Sequence, residues 1–273
     1  MPDILVDRRK TEGRLFLPDS FQVKLIKLDS RGRRLDWGFL FTINEAIVLP
    51  DNYLNDMAKT YDRFLVTAQE MAQANNAAIQ QFPNYQMLRP YLVNLYHEVI
   101  HLLQRSTKMS GIYQRIFEDI YQRTWGFIKI TPDKITNLSP NDNFISNPDG
   151  DNFEWIIGLY NYQTKSTHYF LPTLVYDYQR KIPVGVLIEL KPNGNGVNRC
   201  YTLLKRWDRI EKFPVYTKRF YGLSEQLYHP NEILAQLLSE YLVGDKIFTN
   251  DPDSFYFYDA INKFLLKPCL GAI

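Results

Sequence analysis

The 273-residue chain is 45% hydrophobic and 23% charged, a balance that suits a globular protein with one large core or two modest ones. A formal net charge of +2 argues against a nucleic-acid partner, and two cysteines, Cys200 and Cys269, are too few for a disulfide framework, so a reducing cytoplasmic setting is expected. No stretch reaches the ~18 apolar residues of a membrane helix. The opening MPDILVDRRK lacks the apolar run of a secretory signal, so no membrane association is expected. The aromatic share is high, with 19 Tyr and 17 Phe, and suits either tightly packed strands or an aromatic surface that docks into a protein complex.

Residues 15–50 alternate enough (Phe21, Val23, Leu25, then Trp37 to Leu49) to predict two or three strands, with the turn Asp29-Ser30-Arg31-Gly32 between them. From Asn52 to about residue 81 the period becomes helical, with Leu54, Met57, Tyr61, Leu65, Ala68 and Met71 at three- and four-residue steps. A second helix is expected from Pro90 to Arg105, since proline favours a first turn, and a third from Gly111 to Arg123. The Asn-, Asp-, Pro- and Ser-rich stretch 137–152 reads as a loop and a boundary.

Beyond it the period drops to two. Phe153–Tyr162, His168–Tyr178 and Ile182–Lys191 predict an antiparallel meander of Tyr-, Val- and Ile-rich strands. Cys200, Leu203, Leu204, Trp207 and Ile210 fall on one helical face, and a strand is expected at Val215–Tyr221. Helices follow at Pro230–Val243 and Ser254–Leu266. The resulting fold class is α+β, in three regions (1–140, 150–222 and 223–273) that one domain would also accommodate.

The segment with most chemical content is His97-Glu98-Val99-Ile100-His101. On a helical wheel Leu88, Leu92, Leu95, Val99, Leu102 and Leu103 form the core stripe. His97 and His101 share another side, about 40° apart at 100° per residue, with Asn94, Gln104 and Arg105 nearby and Glu98 at the edge. Two imidazoles one turn apart suit one tetrahedral zinc, and a Glu after the first His can reach a water activated there. The competing reading of the pair is two surface histidines on an exposed helical face.

This HExxH segment resembles the zinc-binding helix of the zincin metallopeptidases. In their gluzincin branch a later helix supplies a Glu, often within NExxA, and Asn231-Glu232-Ile233-Leu234-Ala235 is similar to that pattern. The resemblance implies Zn²⁺ held by His97, His101 and Glu232, Glu98 as general base, and a protein or peptide substrate. Glu232 lies 131 residues beyond His101, farther than in compact gluzincins, so His229, Glu240 and His168 stay open as third ligands.

A second pattern, Val186-Leu187-Ile188-Glu189-Leu190-Lys191 after a preceding strand, resembles the PD-(D/E)xK nucleases. Folding the hairpin at Tyr178-Gln179 sets Glu189 near residues 168–172. There the family's Pro-Asp is replaced by Pro172-Thr173, and the nearest Asp, Asp177, lies by the turn. A threonine hydroxyl is a poor substitute for a carboxylate on a hard cation. The order of expectation is therefore a zinc metallopeptidase, then a non-catalytic interaction or assembly protein of a phage, secretion or defence particle, then a metal-dependent nuclease around Glu189 and Lys191.

Overall fold

The computed structural model describes residues 23–28, 40–43, 46–73, 83–105, 117–137, 144–145, 154–179, 181–196, 199–220 and 226–243. The protein is mixed α/β and divides into two compact units. One comprises residues 17–110 with 235–246; the other comprises 1–16, 111–234 and 247–273. Among the described residues no helix is long and apolar enough to cross a membrane.

The unit built on residues 17–110 has a three-stranded sheet of β1 (Lys24–Leu28), β2 (Phe41–Ile43) and β3 (Ala46–Pro50), in the order β1-β3-β2. Strand β3 runs parallel to β1 and antiparallel to β2, with Ile47 opposite both Leu25 and Thr42. Its sequence AIVLP carries no polar side chain and all five residues are buried, as a strand covered on both faces requires. The turn expected at 29–32 lies outside the described residues, and β1 does not pair with β2.

Helix α1 (Asp51–Gln73) starts directly from β3, with Asp51 in its first turn, where a carboxylate suits the positive end of the helix dipole. Helix α2 (Pro83–Arg105) begins seven residues before the expected start. Pro83 takes the first turn, and Pro90, which lacks the N–H for a helical bond, lies inside the helix at an exposed position. Tyr53 of α1 meets Tyr91 of α2 edge-to-face at 5.2 Å, and its hydroxyl donates to the Tyr91 carbonyl (2.8 Å). Beside them Leu40, Ile47, Leu49 and Leu102 close a small core.

The other unit opens with a helical segment from Phe117 that ends in a π-turn, Ile120–Thr124, closed by the Trp125 N–H donating to the Ile120 carbonyl (3.1 Å). The part of the expected third helix before residue 117 lies outside the described residues. Gly126, at φ +75°, then turns the chain into the sheet.

That sheet has seven strands: β4 (Phe127–Ile130), β5 (Ile135–Thr136), β6 (Phe144–Ile145), β7 (Glu154–Asn161), β8 (Ser166–Asp177), β9 (Ile182–Asn193) and β10 (Cys200–Arg209). The order is β4-β7-β8-β9-β10-β5, with β6 added beside β8. Strands β7 to β9 form an antiparallel meander. Phe144 and Ile145 contribute strand pairing from within the stretch expected as a loop.

Two expectations are corrected here. Residues 200–209 form a strand antiparallel to β9, not a helix. A register shift between Leu203 and Trp207 breaks the alternation, and the bulge produces the three- and four-residue spacing that mimics a helical stripe. Residues 214–220 form the one-turn helix α3 (Pro214–Thr217) and a 3₁₀ turn, not a strand. Pro214 sets the helical φ, and buried Tyr216 and Phe220 stand four apart on the face that packs.

The sheet core gathers Ile156, Leu171, Val186, Ile188, Leu190 and Leu203. Much of the aromatic content is internal: Trp125 stacks on Tyr121 (5.6 Å), and Phe220 touches both Trp125 and Phe127. Helix α4 (Pro230–Val243) runs where the sequence places it; the helix expected at 254–266 lies outside the described residues.

Glu154, at the start of β7, has its carboxyl pushed above the usual range by burial. A raised folded value means that the cost of the charge is absent below the ordinary pKa and fully present above the folded one. Glu154→Gln is expected to raise Tm at pH 7 by about 2 °C, with the gain vanishing near pH 4. Thermal unfolding at the two pH values checks it.

Candidate metal centre

Helix α2 changes character along its length. Its first half is partly exposed, but from Tyr96 to Leu103 every residue except half-buried Val99 is buried. The reason lies in the wheel. Tyr91, Leu95, Val99 and Leu102 pack on the β3–α1 core, while Val93, Tyr96, Ile100 and Leu103 bury a second apolar face. Together they fill roughly 200° of the helix at 100° per residue. His97 and His101 occupy the remaining sector and are also buried, at 7% and 2% exposure. The alternative of two surface histidines is thereby overturned.

The two imidazoles meet edge-to-face, ring centroids 4.6 Å apart, with their Nε2 atoms 2.9 Å from each other. His101 Nδ1 lies 2.7 Å from Gln104 Oε1. An amide oxygen only accepts, so His101 carries its proton on Nδ1 and presents a bare Nε2 lone pair. A second-sphere acceptor of this kind fixes the tautomer that a metal-binding imidazole needs. The 2.9 Å separation fits a hydrogen bond from the His97 Nε2–H to His101 Nε2. Two nitrogens on a tetrahedral zinc would stand ~3.3 Å apart for Zn–N of ~2.05 Å. Rotations of a few tenths of an ångström therefore separate the hydrogen-bonded pair from a chelating one.

Glu232 comes from the first turn of α4. His229 precedes that helix as its cap: its Nδ1 accepts the Asn231 N–H (3.2 Å) and its carbonyl accepts the Ile233 N–H (3.0 Å). Pro230 takes the first turn, and Glu232, 5% exposed, follows where the helix dipole favours a carboxylate. One continuous helix carries Glu232 and, a turn later, the buried residues Ala235, Leu237, Leu238 and Ser239. His97, His101 and Glu232 each offer a ligand atom within 4.8 Å of the others, a buried His/His/Glu cluster with the donor chemistry to hold a metal ion.

Glu98 is buried beside this cluster but is not a member of it. It lies about 100° round the helix from His97 and so points to strand β2, where the Thr42 hydroxyl donates to its Oε2. Arg105, two turns on, donates to the Thr42 carbonyl (3.1 Å) and pins the same strand residue from the other side. The Tyr53 phenol is pushed up by burial first and then by the nearby Tyr91 and Glu98. Thr42 and Tyr53 were not singled out in the sequence, and Arg105 was noted only for sharing the histidine side of the helical wheel. Only the strand-to-helix pairing reveals them.

The alternative third ligands have other roles. His229 caps α4, Glu240 accepts from Gln236 Nε2, and His168 lies on β8 against Glu189 (3.1 Å). The nuclease pattern does not converge. Glu189 pairs across from Phe170, as the hairpin expectation required, but Asp177 lies seven residues farther along β8 and is bound to Arg209 (2.8 Å). The helix that such a core would place after Lys191 is strand β10. No protein-family model, curated protein or solved structure matches the chain.

The Thr42–Glu98 bond satisfies a buried carboxylate, and losing such a donor costs about 1–3 kcal/mol. Thr42→Val is expected to lower the urea midpoint accordingly. Thr42→Ser, which keeps the hydroxyl, is expected to recover most of the loss, and an equal fall in both variants would count against the bond.

Proposed function

We propose that the protein is a zinc-dependent metallopeptidase, with His97, His101 and Glu232 as ligands and Glu98 as general base. The observation that carries this reading is the meeting of the HExxH histidines with the glutamate of the NExxA helix in one buried cluster. A two-His, one-carboxylate set leaves a fourth zinc position for water or substrate, as catalytic sites require. Zinc bound there supplies Lewis acidity and lowers the pKa of water toward ~7.

The remaining steps belong to the chain's own groups. Gln104 holds the His101 tautomer through Nδ1. Thr42 holds the Glu98 carboxylate, and as general base Glu98 would take a proton from the attacking water and return it to the leaving amine. Burial of both carboxylates raises the value of each electrostatic contact in a water-poor site. The substrate class is a peptide or protein.

Elemental analysis of the purified protein is expected to find one zinc per chain, lost in His97→Ala and His101→Ala and weakened in Glu232→Ala. Glu98→Gln is expected to retain zinc while hydrolysis of an unstructured protein substrate falls about 10²- to 10⁴-fold. Protein that binds no zinc on reconstitution would overturn the reading. Zinc retained in His97→Ala would remove the ligand assignment.

A further inference from the structure

Away from the α2 cluster, the turn between β7 and β8 assembles a different constellation. Ser166 and His168 stand two apart on β8 and so share one face of the sheet. Ser166 Oγ is 3.1 Å from His168 Nε2, and His168 Nδ1 is 3.1 Å from Glu189 Oε1 on β9. Thr164 Oγ1 lies 2.6 Å from Ser166 Oγ. With Nδ1–H donating to the carboxylate, Nε2 is a lone pair that faces the Ser166 hydroxyl and, farther off, Thr164 Oγ1 (3.5 Å); the Ser166 hydroxyl donates to it over the shorter contact, and its oxygen can accept from Thr164.

We infer that Ser166, His168 and Glu189 form a second reactive site in which Ser166 is an acyl-accepting nucleophile, His168 its general base and Glu189 the group that orients the imidazole. The order nucleophile, base, orienting carboxylate is the geometry that activates a hydroxyl. The site is open to solvent, with the His168 and Glu189 side chains 35% and 29% exposed, so small esters reach it without passage through a closed pocket.

A donor for the developing oxyanion stands beside the nucleophile. Asn161 pairs directly across from Ser166, and its Oδ1 is occupied by the N–H groups of Gln163 (2.9 Å) and Thr164 (3.3 Å). Its amide NH₂ has no acceptor among the described residues, and an amide donor of this type is what a tetrahedral intermediate needs. Lys191, two residues beyond Glu189 on β9 and so on the same face of that strand, adds a cation.

With an activated ester, Ser166 Oγ attacks the carbonyl carbon as its proton passes to His168 Nε2. The bond from acyl carbon to leaving-group oxygen breaks; an alcohol departs with the proton from His168, while a phenolate leaves unprotonated and His168 gives its proton to solvent. Water then attacks the acyl-serine, His168 takes its proton and returns it to Oγ, and the carboxylic acid is released. Ester and water are consumed, acid and alcohol are formed, and no redox partner is needed.

The test is independent of the zinc centre because it is run in EDTA and read at Ser166 itself. Folded full-length protein is treated with p-nitrophenyl acetate or a fluorophosphonate, digested with trypsin and analysed by mass spectrometry. An adduct is expected on the peptide that begins at Ser166, absent after urea denaturation and reduced at least 10-fold in His168→Gln. Glu189→Gln is expected to give an intermediate loss, and Ser166→Ala none of the adduct. No adduct at Ser166 in the folded wild type overturns the inference, as does equal labelling of denatured protein or of the His168→Gln variant.

Discussion

A helix buried on nearly every side leaves its polar side chains little water, and α2 from Tyr96 to Leu103 is such a stretch. Apolar residues cover roughly 200° of its surface, so the remaining sector is closed by whatever packs there. His97, Glu98 and His101 are the side chains in that sector, and each must find its partners inside the protein. They do so in three directions: the histidines on each other, His101 on Gln104, and Glu98 on Thr42 of the edge strand β2. The position of β2, and with it the β1-β3-β2 sheet, is therefore tied to satisfying one carboxylate. Packing and polar satisfaction here are one constraint.

The parts of the fold that were legible in the sequence are those whose periodicity had a single cause. The alternation of β7, β8 and β9 reflects one pleated surface, and Pro230 with the apolar run to Val243 marks a helix with a defined start. Where two causes overlap, the reading fails. In β10 the bulge between Leu203 and Trp207 overlays a strand with helical spacing, and only the ladder with β9 resolves it. In α2, Pro90 carried the start signal of a helix that Pro83 had already begun.

The site divides in the same way. The HExxH pair is local, so spacing alone sets His97 beside His101. Glu232 is reached through a match to a family pattern on a distant helix, and no periodicity in this chain relates the two. Thr42 was illegible, because the register of a three-residue strand against a helix 56 residues away leaves no mark in either segment. Ser166 was missed, because the expected strand began at His168 and the observed one starts two residues earlier. The carboxylate that completes the constellation depends on the β8–β9 register, which places Glu189 opposite Phe170, one step along from His168.

The two histidine sites differ most in what surrounds them, and the difference bears on the chemistry proposed for each. His97 and His101 are buried, as are Glu98 on their own helix and Glu232 on α4. A pair of neutral imidazoles can share a hydrogen bond, but two buried carboxylates bring negative charge into a region where solvation is poor and isolated charge is costly. A divalent cation at the lone pairs of His97, His101 and Glu232 would balance that charge and convert the 2.9 Å contact into shared ligation. At His168 the carboxylate is part-exposed and the imidazole already has a donor and an acceptor on opposite nitrogens. That bonding pattern needs no cation, and it is the one the proposed transfer of a proton from serine to histidine requires. Burial beside carboxylates thus favours the metal reading for one pair of groups, as partial exposure favours the proton-transfer reading for the other.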